Sequence, residues 1–203
     1  LFAGVTVIGV GLVWLRGPAL LALGLVGVAL GWAYSAPPCK LNSRGLGELT
    51  VALTFYGVPL GMALVAGGQV SPALAWASVS QALLITALLY VNQFPDRRAD
   101  ALAGKRHWVV RLPLGGAVAG HALLLAAAYG WLALGLGLGR LPLAAALGLL
   151  TLPLSLRAAL QLGRHADTPS RLRPAIIATL LAANLHPVCL AVGLAHAAYF
   201  TGN

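Results

Sequence analysis

Seven stretches rich in Leu, Ala, Val and Gly alternate with short polar segments along this chain. They cover residues 1–15, 19–35, 46–66, 73–91, 114–138, 141–156 and 174–199. A helix that crosses a bilayer needs ~20 apolar residues, so the pattern predicts a bundle of membrane helices. The first stretch is short. The sixth reaches a spanning length only if it extends through Gln161. Pro59, Pro153 and Pro187 interrupt the apolar runs, which membrane bundles tolerate because neighbouring helices satisfy the freed backbone groups. Gly27/Gly31, Gly57/Gly61 and Gly116/Gly120 have the spacing that lets helices approach closely.

The polar segments differ in charge. The second, fourth and sixth (residues 36–45, 92–113 and 157–173) hold eleven of the thirteen Lys and Arg. The first, third and fifth hold only Arg16 and Arg140. Basic loops stay cytoplasmic, so the even segments are expected in the cytoplasm, with the C-terminus outside and the N-terminal end on the cytoplasmic side. Glu48, Asp96, Asp100 and Asp167 are the only acidic residues, and all lie in or beside the even segments. Polar chemistry is therefore expected at the cytoplasmic face.

Composition supports this placement. The chain is 60% hydrophobic and 8% charged, against about 25% charged in soluble domains. With basic residues confined to loops between apolar runs, the net charge of +9 points to anionic lipid or an anionic substrate rather than to nucleic acid. Cys39 and Cys189 have no metal-type spacing. No linker or second domain is visible, and residues 1–203 read as one membrane domain. The opening Leu-Phe-Ala-Gly-Val has neither an initiator Met nor a basic signal region, and is expected to be a cut end.

Three constellations could carry chemistry. Asn92, Asp96 and Asp100 recur every four residues, a spacing that fans side chains along one helical face. Two carboxylates ~6 Å apart repel by ~3 kcal/mol at an effective dielectric of ~20, and a hard cation removes that repulsion. Carboxylate and amide oxygens suit Mg²⁺, which keeps positions for phosphate oxygens. Pro95 lies inside the triplet and should kink it. The alternative is a solvated helix end whose aspartates pair with Arg97 and Arg98. The second constellation is the segment from Tyr34 to Glu48, where Pro37-Pro38 ends a helix and Lys40 and Arg44 follow. These cations suit phosphate, or simply anchor a cytoplasmic loop. The third, Gly104-Lys105-Arg106, could clamp the far side of a diphosphate or fix topology. His186 lies mid-membrane before Pro187. It is either functional or a histidine satisfied by a neighbouring helix.

Taken together, the motifs are specific. Asn92-x3-Asp96-x3-Asp100-x3-Gly104-Lys105-Arg106, followed by Val109-Val110-Arg111-Leu112, resembles the second aspartate-rich motif of the UbiA superfamily of membrane prenyltransferases. Tyr34-Ser35-x-Pro37-Pro38-x-Lys40-x3-Arg44-Gly45-Leu46-Gly47-Glu48 resembles that family's loop in its 1,4-dihydroxy-2-naphthoate and chlorophyll-type branches, and is closer to the first. Asn42, Phe94-Pro95 and Pro113 depart from the usual pattern, which bears on subfamily and substrate.

The resemblance implies an all-α, polytopic transmembrane bundle of nine helices. Seven are expected here, the two N-terminal helices and the first aspartate-rich motif preceding Leu1. It implies Mg²⁺ held by Asn92, Asp96 and Asp100, with Asp96 and Asp100 catalytic. Tyr34, Lys40, Arg44, Lys105 and Arg106 would surround the diphosphate. The partners would be a polyprenyl diphosphate, an aromatic acceptor and membrane lipid, with no nucleic acid. The expected location is a bacterial cytoplasmic membrane, and the expected acceptor is 1,4-dihydroxy-2-naphthoate of menaquinone synthesis. 4-Hydroxybenzoate, chlorophyllide and homogentisate are alternatives. An anionic-solute transporter would use the same loops without chemistry, but would also need polar groups leading to the outer face. A chain with one aspartate-rich motif is expected to be inactive alone.

Overall fold

A computed structural model describes residues 2–201; Leu1, which opens the first apolar run, lies outside the described residues. The described chain is helical, with no strand among the described residues. In order it forms α1 (Phe2–Arg16), α2 (Pro18–Ser35), α3 (Gly47–Val65), α4 (Pro72–Asn92), α5 (Arg97–Leu102), α6 (Trp108–Arg111), α7 (Leu114–Gly137), α8 (Leu152–His165) and α9 (Arg173–Thr201). A 3₁₀ stretch, Leu143–Thr151, runs directly into α8. Six segments are long and apolar enough to cross a membrane, the 3₁₀ stretch and α8 together making one of them. The apolar part of α1, Thr6–Arg16, is shorter. The sixth run thus reaches a spanning length, but it begins as 3₁₀ helix and continues to His165, beyond the expected Gln161.

Local sequence sets the boundaries. Gly17 adopts φ 91° between α1 and α2, a left-handed conformation that favours glycine. Pro18 follows at the first helical position of α2, where its missing N–H costs nothing. Ser71 caps α4, its side chain accepting the Leu74 N–H at 3.1 Å, and Pro72 opens the helix.

The buried centre is α4, which contributes to all three apolar clusters. Leu84 and Ala87 pack with Leu125, Ala128 and Ala158 at mid-depth. Tyr90, Val91 and Phe94 pack with Val109, Leu162 and Leu172 at one end. Ala77 packs with Leu132, Leu141 and Leu190 at the other. Trp76 on α4 stacks on Trp131 of α7, ring centroids 4.4 Å apart. Each indole N–H donates to the other residue's carbonyl, at 3.2 and 3.0 Å. Of the spaced glycine pairs, Gly57 and Gly61 face Leu23 of α2 closely, whereas Gly27 and Gly31 face open space.

His186 is satisfied by neighbouring helices. Its Nε2 lies 3.0 Å from Ser80 Oγ of α4. Its Nδ1 lies 3.1 Å from the Gly148 carbonyl and 3.2 Å from Thr151 Oγ1. The Tyr129 hydroxyl joins Thr151 at 2.9 Å and Ser155 at 2.8 Å. An unpaired polar group in lipid costs several kcal/mol, so this network ties α4, α7, α8 and α9 together at depth.

The loops sort by end as the charge alternation requires. The Arg106 N–H donates to the Ser43 carbonyl at 2.8 Å, joining the second and fourth polar segments. Leu172 of the sixth shares a cluster with Phe94 and Val109. At the other end the Arg16 guanidinium lies against Gly67.

Candidate functional site

Pro95 dictates the shape of the aspartate triplet. It has no N–H to continue α4, and α4 stops at Asn92. The next amides turn back three residues: Gln93 to Tyr90, Phe94 to Val91 and Arg97 to Phe94, at 3.2–3.3 Å. Phe94 is buried beneath this turn. Asp96 then caps α5 through its backbone, its carbonyl accepting the Asp100 N–H at 2.8 Å. The single helical face expected for the triplet is therefore corrected. Asn92 ends one helix, and Asp96 and Asp100 belong to the first turn of another.

The three side chains stand in different surroundings. Asn92 and Asp96 are exposed. Asp100 is partly buried and held on both oxygens. Lys105 Nζ donates to Oδ1 at 2.6 Å and His107 Nε2 lies 3.0 Å from Oδ2. An ionised carboxylate only accepts, so His107 carries its proton on Nε2. Burial would by itself raise the Asp100 carboxyl pKa. The hydrogen bonds from Lys105 and His107, with their charge, hold it below its usual value instead. Arg97 does not pair with the aspartates. Its Nε and Nη2 donate to the carbonyls of Val109 and Leu112 at 2.7 and 2.8 Å, closing the α5–α6 hairpin.

The two motifs meet at one end of the bundle. Arg111 donates to the Arg44 carbonyl at 2.8 Å and stands over the Trp108 ring at 5.8 Å. Gly45, at φ 82°, lies against the Arg106 carbonyl and the Arg111 guanidinium; a side chain there would part the loops. Arg44 turns back on its own loop, donating to the Pro38 carbonyl at 2.7 Å. Lys40 and Arg106 are exposed. Tyr34 lies over the start of α3, with its ring beside Gly47, and feels the charges of Glu48 and Lys105.

Asn92 and Asp96 offer amide and carboxylate oxygens that no neighbour among the described residues occupies. Each Asp100 oxygen keeps a lone pair beyond its present bond. That donor set fits a hard divalent cation sharing phosphate oxygens. No group of three or more His, Cys, Asp or Glu gathers as a metal cluster among the described residues.

Two features of this end were not read from the sequence. His107 is 2% exposed and pairs with a residue seven positions earlier, a contact made by the turn at Gly104 rather than by any helical repeat. Glu48 is 8% exposed, and neither of its oxygens has a hydrogen-bond partner. An acidic residue opening an apolar helix was the only available sign of it.

The chain matches the family model described as the UbiA prenyltransferase family over residues 1–180. It is similar to 2-carboxy-1,4-naphthoquinone phytyltransferase of Synechocystis sp., 30% identical over 172 residues. That match covers 81% of this chain and 53% of the relative. It is also similar to UbiA prenyltransferase domain-containing protein 1 of Dictyostelium discoideum, 37% identical over 86 residues, 42% of this chain and 26% of the relative. The matches thus span from about a quarter to about half the length of these curated relatives. No solved structure matches the chain.

Proposed function

The chain belongs to the UbiA prenyltransferase family, and we propose that it transfers a polyprenyl group from an allylic diphosphate to an aromatic acceptor at the basic end of the bundle. One observation carries this reading. The Tyr34–Glu48 segment and the Asn92–Arg111 segment are bonded together at the same end, through Arg106 to Ser43 and Arg111 to Arg44. That end offers exposed Lys40 and Arg106 beside exposed Asn92 and Asp96. Such a surface suits an anionic headgroup whose apolar tail lies in the membrane.

In this reading Asn92, Asp96 and Asp100 hold Mg²⁺, which supplies charge stabilisation to the departing diphosphate. Lys40, Arg44 and Arg106 place donors around the phosphate oxygens, where negative charge grows as the allylic C–O bond breaks. Lys105 and His107 fix the Asp100 carboxylate. Tyr34, beside the start of α3 and within reach of the Lys105 and Glu48 charges, lines the diphosphate. The electron-rich ring carbon of the acceptor attacks the allylic carbon as diphosphate leaves, and the ring regains aromaticity by losing a proton or, where the attacked carbon bears a carboxylate, CO₂. In the same reading the membrane is a bacterial inner one and the site faces its cytoplasm, a side that the basic loops gathered at this end support.

The acceptor is proposed to be 1,4-dihydroxy-2-naphthoate, as in menaquinone synthesis. The Arg44-Gly45-Leu46-Gly47-Glu48 run and the naphthoquinone named for the Synechocystis relative support this choice. The alternatives are 4-hydroxybenzoate, a chlorophyllide and homogentisate. The test is product formation by the purified protein with a polyprenyl diphosphate, Mg²⁺ and each acceptor in turn. A prenylated naphthoate, or the prenylated naphthalenediol left when its carboxylate departs as CO₂, is expected; no product from any acceptor would rule out the enzyme reading.

A further inference from the structure

The inner ends of α3 and α4 present polar atoms that the described chain does not satisfy. Both Glu48 carboxylate oxygens, the Tyr90 hydroxyl and the Gln93 Oε1 are buried without a hydrogen-bond partner. Glu48 is 8% exposed and Tyr90 is 3% exposed. Buried polar groups are nearly always paired, and a lone buried carboxylate is costlier still. Four such atoms at one end of two packed helices point to a ligand.

The atoms lie at one level of the fold. α3 and α4 are consecutive helices packed on each other, so Glu48 at the start of α3 stands beside Tyr90 and Gln93 at the end of α4, and its charge acts on both Tyr34 and Tyr90. Tyr90 and Gln93 are three residues apart, on one face of the end of α4. The unmet set is rich in acceptors: a carboxylate and an amide carbonyl take hydrogen bonds, and only the phenol can give one. Its ligand must therefore donate.

The neighbouring side chains narrow the choice between a cation and a ring hydroxyl. The Tyr34 ring lies beside Gly47, next to Glu48. Tyr90 and Phe94 are buried, their ring centroids 6.0 Å apart at 59°, with the Tyr90 hydroxyl close to Gly120 of α7. Aromatic faces suit a planar arene. The Lys105 charge, felt at Tyr34, offers a place for an anionic ring substituent away from Glu48. We propose that Glu48, with Tyr90 and Gln93, receives the hydroxyl-bearing edge of the aromatic acceptor and so orients the ring for attack. The proposal rests on the prenyltransferase reading above and adds the residues that choose a hydroxylated ring. Glu48 acts by hydrogen bonding, and the proposal asks no covalent step of it.

The experiment compares two probes that differ by one hydroxyl placed away from the carboxylate, 4-hydroxy-2-naphthoate and 2-naphthoate. Binding to the purified protein is measured by fluorescence titration without prenyl diphosphate. Glu48→Gln keeps the shape but presents an N–H to the hydroxyl. It is expected to weaken the hydroxylated probe at least tenfold and 2-naphthoate less than twofold. Tyr90→Phe, which retains the ring, is expected to show the same selectivity at about threefold. Equal losses for both probes, or no loss for either, would overturn the proposal. So would a Glu48→Gln protein that loses Mg²⁺ binding while keeping the hydroxylated probe, since the site would then hold a cation. Wild-type protein that binds neither probe would also overturn it. Product formation is scored separately. Hydroxyl-selective binding without product leaves the acceptor site standing and removes the enzyme reading, whereas product formation indifferent to Glu48→Gln does the reverse.

Discussion

His107 Nε2 lies 3.0 Å from Asp100 Oδ2 while Lys105 Nζ holds Oδ1 at 2.6 Å, so the third member of the aspartate triplet is oriented by two residues on the loop that follows it. His107 is buried, and its own peptide carbonyl accepts the N–H groups of Val110 and Arg111 at 3.1 Å. Its backbone is therefore fixed by the helix it starts. Partners that orient a ligating carboxylate typically affect metal affinity by about 10–100-fold. His107→Leu is expected to raise the Mg²⁺ requirement about tenfold, and His107→Gln, which retains an N–H donor, by less. Calorimetric Mg²⁺ titration, alongside initial rates at varied Mg²⁺, separates the two variants. Equal Mg²⁺ affinity in both and in wild type would show that Asp100 needs no such support.

Asp96 and Asp100 predict different outcomes in stability although both should matter for activity. Either Asp→Asn substitution is expected to lower turnover by about 100-fold or more, the scale on which charge stabilisation of a leaving group acts. Asp96 is exposed and makes no ion pair among the described residues, so Asp96→Asn should leave thermal stability unchanged. Asp100→Asn strands Lys105 and the buried His107, and is expected to cost about 1–3 kcal/mol. Rates and detergent-solubilised melting curves check the pair. Normal turnover in either variant would remove the triplet from the site.

The same carboxylate gives a pH dependence with a definite sign. The folded Asp100 pKa lies below its ordinary 3.8. Its contribution to stability is therefore fully present above the unfolded pKa and is lost as pH falls through the folded one. The stability gap between wild type and Asp100→Asn should be present at about pH 5 and close below about pH 4 as Asp100 takes up its proton. Melting temperatures of both proteins across that range test it. A gap that persists into acid would show that charge is not what holds the loop.

His186 should prove structural rather than functional. Its ring meets Ser80, Thr151 and the Gly148 carbonyl, and Tyr129 bonds the same Thr151. His186→Ala is expected to destabilise the bundle by about 1–3 kcal/mol, because those partners lose their bonds where water cannot replace them. Its coupling to Ser80→Ala should be smaller, near the ~0.6 kcal/mol average for polar pairs between membrane helices. Activity per folded molecule should not change. A loss of turnover with stability intact would assign the histidine a chemical role.

The two motifs and the apolar runs could be read along the chain because they depend on spacing. Their junction could not. Arg106 finds the Ser43 carbonyl, and His107 finds Asp100, only after Gly104 at φ 75° turns the loop back. Spacing alone left open an alternative in which the aspartates pair with Arg97 and Arg98, whereas the hairpin turns Arg97 towards the Val109 and Leu112 carbonyls. Pro95 signalled a break in the triplet but not which side chains would fall on either side of it. The 3₁₀ start of the sixth span was equally hidden, since its composition is that of its α-helical neighbours.

That 3₁₀ stretch owes its place to a glycine on the helix facing it. A methyl group added at Gly193 of α9 would run into the backbone of Ala144 and Ala145. Backbone cannot rotate away as a side chain can, so the two elements must separate or the substitution must distort one of them. Gly148 is enclosed by Leu132, Leu190 and His186, each within 3.1 Å of an added Cβ, but those side chains can yield. Gly130 on α7 is exposed and faces nothing within 4 Å. Overpacking a close interface costs about 1–3 kcal/mol or more, whereas Gly→Ala in an open helix position gains up to about 1 kcal/mol. Gly193→Ala is therefore expected to lower the melting temperature most, Gly148→Ala less, and Gly130→Ala to raise it or leave it unchanged. Melting curves of the three variants in one detergent give the order directly. A Gly193→Ala protein as stable as Gly130→Ala would mean that α9 and the 3₁₀ stretch do not pack backbone to backbone.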